Sequence, residues 1–155
     1  MTATIKKRLE EKGIILPAAP APAANYVPWV ISGNHLHISG QLPMEAGGLA
    51  VVGHLGADVD VEAGRRAAEL CAINILAQAS SALSGDLERI ARLIKINGFV
   101  ASVPTFIEQH LVINGASDLL ADVLGERGRH ARAAVGMAAL PMNAAVEIDA
   151  LFAIN

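Results

Sequence analysis

Two charged residues stand alone inside apolar runs near the end of this chain. Arg132 lies in His130-Ala-Arg-Ala-Ala-Val-Gly-Met-Ala-Ala-Leu140, and Glu147 in Ala144-Ala-Val-Glu-Ile148. An isolated charge in an apolar strand costs free energy unless it is paired or turned to water. Two readings stand side by side. Arg132 and Glu147 meet each other or lie on a solvated edge, or the planar Arg132 guanidinium holds a ligand carboxylate through a two-pronged hydrogen-bonded pair. The other reactive residue types offer less. The five histidines are scattered. His35 and His37 share one face of a strand, but a metal needs more ligands than that pair supplies, so no metal is expected. His54 and His110 read as surface or helix-face residues. Cys71, the single cysteine, lies in the apolar helical run Leu70-Cys-Ala-Ile73 and reads as a buried, inert thiol with no disulfide partner. The sequence has no Gly-rich phosphate loop, no nucleophile elbow and no His-Glu-x-x-His.

The elements that must position Arg132 and Glu147 follow from periodicity. Residues 2–12 predict a short amphipathic helix stopped by Gly13, and Pro17-Ala-Ala-Pro-Ala-Pro22 an extended, semi-rigid linker. Strands are expected at 27–32 and 35–39 around the turn Gly33-Asn34, with a third short strand at 49–52. Asp58 or Asp60 can cap a helix running to about Leu83, with Ala63, Ala67, Leu70, Cys71, Asn74, Ala77 and Ser81 at helical spacing and Gly85 as the stop. A strand at 93–102 precedes a helix at 105–124, with an interruption expected at Asn114-Gly115 and a stop at Gly125. Strands at 131–139 and 145–154 close the chain. The order β-β-β-α-β-α-β-β predicts a two-layer α+β fold, two long helices against one sheet.

At 155 residues this is one domain with an ordinary core. Its 53% hydrophobic and 17% charged content predicts more apolar surface than one copy can hide, hence a permanent homo-oligomer. A net charge of −3 and 3% aromatic residues argue against a nucleic-acid partner. No signal peptide or membrane-length apolar run is present, so a cytoplasmic protein is expected.

Three segments resemble the RidA/YjgF family, called endoribonuclease L-PSP in older usage. Ala131-Arg132, Leu140-Pro141 and Val146-Glu147-Ile148 follow the family's order and spacing. Upstream, Tyr26 and Ser39-Gly40-Gln41-Leu42-Pro43 resemble its Tyr and Ser-Gly-Gln segment, and Ile113-Asn114-Gly115 its helical Val-Asn-Ala. The resemblance covers residues 25–155 and leaves 1–24, the N-terminal helix and Pro/Ala linker, as an addition. It implies a chorismate-mutase-like homotrimer, one mixed sheet per copy with both long helices on one face, sheets inward and helices outward, with pockets between subunits. It also implies hydrolysis of 2-imino (enamine) acids to 2-keto acids and ammonia without metal or cofactor. Arg132 would bind the substrate carboxylate and Glu147 would activate water. Tyr26, Ser39, Gly40 and Asn114 would line the pocket, with Ala134 where the family often has Cys. His130 stands where the family usually has Pro or Ala, and Ala24-Asn25 where it has Gly-Pro, which marks a divergent subgroup. Alternatives are a non-catalytic binder of small keto acids and an RNA-cleaving or translation-inhibiting protein using Arg127, Arg129, His130 and Arg132 as a phosphate patch.

Register sets a test. If strands 131–139 and 145–154 formed a plain hairpin, Arg132 would face residue 152 or 153. Glu147 would then lie on the order of 17–20 Å away at ~3.3 Å per residue. That is too far for one small substrate. Either another strand lies between them or a second subunit completes the site, with Asn114 as the first candidate for the neighbour's contribution.

Overall fold

The computed structural model of the protein describes residues 4–155. Helix α1 (Ile5–Glu11) is followed by strands β1 (Trp29–Ser32), β2 (His35–Gln41), β3 (Met44–Glu45) and β4 (Gly48–Leu49). Helix α2 (Val61–Ala82), β5 (Ile90–Ala101), helix α3 (Gln109–Leu124), β6 (Ala131–Met137) and β7 (Val146–Ile154) complete it. The main sheet runs β1-β2-β7-β5-β6. Only the β5–β6 pair is parallel, with α3 as its crossover; the other neighbours are antiparallel. The fold is therefore mixed α+β, as the pattern predicts. On β7, Val146, Ile148, Ala150, Phe152 and Ile154 are buried against the helices, while Glu147, Asp149, Leu151 and Ala153 face the other side, half-buried.

Local chemistry sets the helix ends. The Asp60 carboxylate accepts from the Ala63 N–H and caps α2. Gly85 and Gly125 follow the two long helices with φ of +87° and +65°, which glycine adopts without steric cost. Helix α3 begins four residues later than expected and runs unbroken through Asn114-Gly115. Gly115 marks a close helix crossing: a Cβ there would run into the Arg65 backbone carbonyl of α2. Gly115→Ala should therefore destabilise the fold by about 1–3 kcal/mol through overpacking. Denaturant unfolding checks this, and an unchanged midpoint would contradict it.

The strand expected at 49–52 is instead the β3–β4 hairpin plus a single bridge from Val52 to Ala144. Buried Asn74 of α2 donates to the Leu42 and Met44 carbonyls, which ties this segment to the helix and not to a third ladder. Of the predicted N-terminal helix, residues 2 and 3 lie outside the described part; the rest packs into the common core. Ile5 is fully buried, the Ile5 N–H donates to Glu88 Oε1 at 2.6 Å, and Lys12 pairs with Asp122 of α3 at 2.7 Å.

Strand order decides the geometry of the site. β5 lies between β6 and β7, so these two strands are not hairpin partners. Arg132 sits beside Ile96, which faces Ala150, while Glu147 sits beside Phe99, which faces Val135. Three residues along the strands and two inter-strand steps put the two Cα atoms roughly 14 Å apart. The odd offset sends the side chains to opposite faces of the sheet.

Candidate functional site

Arg132 opens an edge strand on the helix side of the sheet. Its Nη1 donates to Ser117 Oγ at 3.0 Å and its Nη2 to the His110 carbonyl at 3.0 Å, both on α3. His110, Asn114 and Ser117 follow i, i+4, i+7 spacing and form one stripe of that helix. Asn114 thus lies on the stripe that Arg132 of the same chain packs along. Ala134, two residues after Arg132, points to the same side and packs half-buried against the core. Burial lowers the Arg132 pKa and Asp118 opposes the shift; the guanidinium stays charged at neutral pH. Arg132 forms no salt bridge among the described residues, and two of its five N–H donors are used, so the others remain for a ligand.

Glu147 occupies the opposite face, half-buried. Its carboxylate lies over Gly40 of β2 so closely that any Cβ at Gly40 would overlap it. Burial raises its pKa, and Asp149 adds to the shift. Asp149 in turn accepts from the Asn97 backbone N–H and from Nδ2 at 3.2 and 2.8 Å. Gly40 and Tyr26 share the wall of a mostly apolar cavity of about 800 Å³, closed on one side by the Pro17–Ala23 segment. The Ser39 hydroxyl is committed to the Val27 carbonyl at 2.8 Å.

The residues named from the sequence therefore fall into two groups. Arg132, Ala134 and Asn114 lie on the helix side; Glu147, Gly40 and Tyr26 lie around β2 and the outer face, with Ser39 adjacent in sequence. Arg132 and Glu147 do not pair with each other, which removes the ion-pair half of the first reading; Arg132 does lie on an edge strand, β6. Sequence reasoning missed Ser117 as the partner of Arg132. The stripe spacing from His110 was its only signal, because nothing local says which face of α3 meets β6. The phosphate patch is largely committed elsewhere. Arg127 pairs with Glu88 at 2.8 Å and donates to the Ile90 carbonyl, and Arg129 pairs with Glu126 at 3.1 Å. Cys71 is fully buried, and burial pushes its thiol pKa well up. The His35 and His37 rings lie edge to face, 6.4 Å apart, and no cluster of three metal-ligating residue types occurs among the described residues. No helix there is long and apolar enough to cross a membrane.

Residues 6–154 match the family described as "YjgF/chorismate_mutase-like, putative endoribonuclease". The chain belongs to this family. Among its relatives is Protein TCP17 of Trypanosoma cruzi, 53% identical over 97% of this chain and 94% of that protein. The crystal structure of Atu1372 from Agrobacterium tumefaciens, of unknown function, is 67% identical with a TM-score of 0.92, covering 97% of this chain and 92% of the other. RidA from an Antarctic Psychrobacter is 28% identical with a TM-score of 0.61, covering 88% and 94%. This YjgF-family chain superposes better on Atu1372 than on that RidA. The family match begins inside α1, at residue 6.

Proposed function

We propose that this YjgF-family protein hydrolyses small 2-imino acids to 2-keto acids and ammonia. The observation that carries the reading is Arg132. It is a half-buried guanidinium held at two nitrogens by neutral acceptors, with no carboxylate of its own and donors left over. Such an arrangement is preorganised to bind a carboxylate in a fork. A protonated 2-imino acid is already electrophilic at C2. Water adds to C2 as Glu147 takes a proton from it, and Glu147 returns that proton to the amine nitrogen. The C–N bond breaks as the new hydroxyl gives up its proton to Glu147, and ammonia leaves while the oxygen from water stays on C2 as the keto oxygen. The raised pKa of Glu147 makes its carboxylate a stronger base than an ordinary one.

A small substrate cannot touch Arg132 and Glu147 of one chain, because they point from opposite faces. The reading therefore requires the outer sheet face of one copy to meet the β6–α3 edge of the next, as in a cyclic homotrimer. Exposed Val30, Val135 and Met137 on the uncovered face support such burial. Analytical ultracentrifugation should show a species of three copies at micromolar concentration; a stable monomer would overturn the intersubunit pocket. The activity is tested with freshly generated 2-iminopropanoate and 2-iminobutanoate, following keto-acid release by wild type and Arg132→Ala. Keto-acid binding without turnover would leave only a binder. RNA cleavage has less support, since Arg127 and Arg129 are already paired with carboxylates.

A further inference from the structure

The hydrogen bonds behind Arg132 have a direction fixed at both ends. The Gly128 carbonyl can only accept, so His130 donates to it through Nδ1–H across 2.6 Å. A guanidinium can only donate, so Ser117 Oγ accepts from Arg132 Nη1. A neutral imidazole with its proton on Nδ1 presents a bare lone pair at Nε2, which lies 2.9 Å from Ser117 Oγ. The Ser117 hydroxyl proton therefore points at His130. The chain runs Arg132 to Ser117 to His130 to the Gly128 carbonyl, every member donating to the next. It ties together three elements: the strand β6, the helix α3 and the turn at 125–128 that precedes β6.

We propose that Ser117 and His130 are positioning residues that fix the orientation of the Arg132 guanidinium for a ligand carboxylate. This rests on the reading of Arg132 as the carboxylate anchor, but adds residues that the reaction itself does not name. The neutral imidazole that the chain requires is favoured by its surroundings. Burial lowers the His130 pKa, the Gly128 hydrogen bond opposes that, and the Arg132 charge adds to the lowering. An imidazolium would instead set an N–H against Ser117 Oγ, displace the hydroxyl proton from the chain and place a cation beside a cation. The second Arg132 contact, to the His110 carbonyl, cannot set the guanidinium plane alone, because one hydrogen bond leaves rotation about it free.

The test titrates 2-oxobutanoate, an unreactive keto acid, into the full-length protein by calorimetry and records the imidazole ¹⁵N spectrum of the same samples. Ser117→Ala and His130→Ala should each weaken binding roughly tenfold, the usual size for loss of a bond supporting a charged group. Ser117→Thr, which keeps the hydroxyl, should bind within about twofold of wild type. The spectrum should show His130 protonated on Nδ1, with its Nε2 signal shifted in Ser117→Ala. Wild-type affinity in Ser117→Ala alongside lost binding in Arg132→Ala would overturn the positioning role and leave the anchor standing. An Nε2-protonated His130 would overturn it as well. Normal binding in Arg132→Ala would overturn the anchor, and the positioning role with it.

Discussion

Arg132→Ala should lower kcat/KM for 2-iminobutanoate by about 100- to 1000-fold, while the protein stays folded. Two charge-assisted hydrogen bonds to a carboxylate contribute roughly 3–6 kcal/mol, and each 1.36 kcal/mol is about tenfold in rate. The lower end applies because Arg132 is only half-buried, so water replaces part of what the ligand loses. Folding should change little, since the groups Arg132 leaves behind, Ser117 Oγ and the His110 carbonyl, lie at a half-exposed edge that water reaches. Arg132→Lys should recover part of the charge but not the fork, and so remain closer to alanine than to wild type. Steady-state kinetics beside thermal unfolding separate the two effects. A variant with full activity, or one that loses activity only by unfolding, would remove Arg132 as the anchor.

Glu147→Gln should lower turnover by about 100- to 10,000-fold, the range for a general base, while keto-acid affinity stays within a few-fold. The pH profile carries a sharper signature. Water activation needs the carboxylate, and burial with Asp149 nearby raises its pKa. Wild-type activity should therefore climb with pH through a value raised from that of an ordinary glutamate, and Glu147→Gln should lack that limb. Stability runs the other way. A carboxyl whose folded pKa lies above its unfolded value favours the protonated fold, so its contribution is present at low pH and lost as pH rises through the folded pKa. Glu147→Gln should thus be slightly more stable than wild type at neutral pH, since the amide keeps the shape of the carboxylate without its charge. Equal losses in rate and keto-acid binding would instead make Glu147 a residue that shapes the pocket.

The sequence by itself determined whatever depends on near neighbours along the chain. Alternation on β7 shows which side of that strand is core, because successive side chains must point to opposite faces. Asp58 or Asp60, Gly85 and Gly125 mark helix ends, because a free carboxylate caps N–H groups and glycine tolerates positive φ; the structure chose Asp60 as the cap. The order and spacing of Arg132, Pro141 and Glu147 were enough to point to the family. Counting residues showed that a plain β6–β7 hairpin would hold Arg132 and Glu147 too far apart for one small substrate. Which of the two escapes applies did not follow.

That choice was made by the tertiary structure, which inserts β5 between the two strands and, through an odd register offset, sends Arg132 and Glu147 to opposite faces. Register between strands distant in sequence is set by how a whole sheet packs against α2 and α3, so no local window contains it. The same holds for Gly115, which reads as a helix breaker in isolation and proves to be the contact that lets α3 reach α2. It holds for the N-terminal helix, whose Ile5 and Leu9 look like a detached amphipathic face until α3 and Glu88 receive them. Ser117 and His130 are the clearest case: thirteen residues apart and unremarkable in type, they become partners of Arg132 only because a parallel crossover returns the chain beside its own helix.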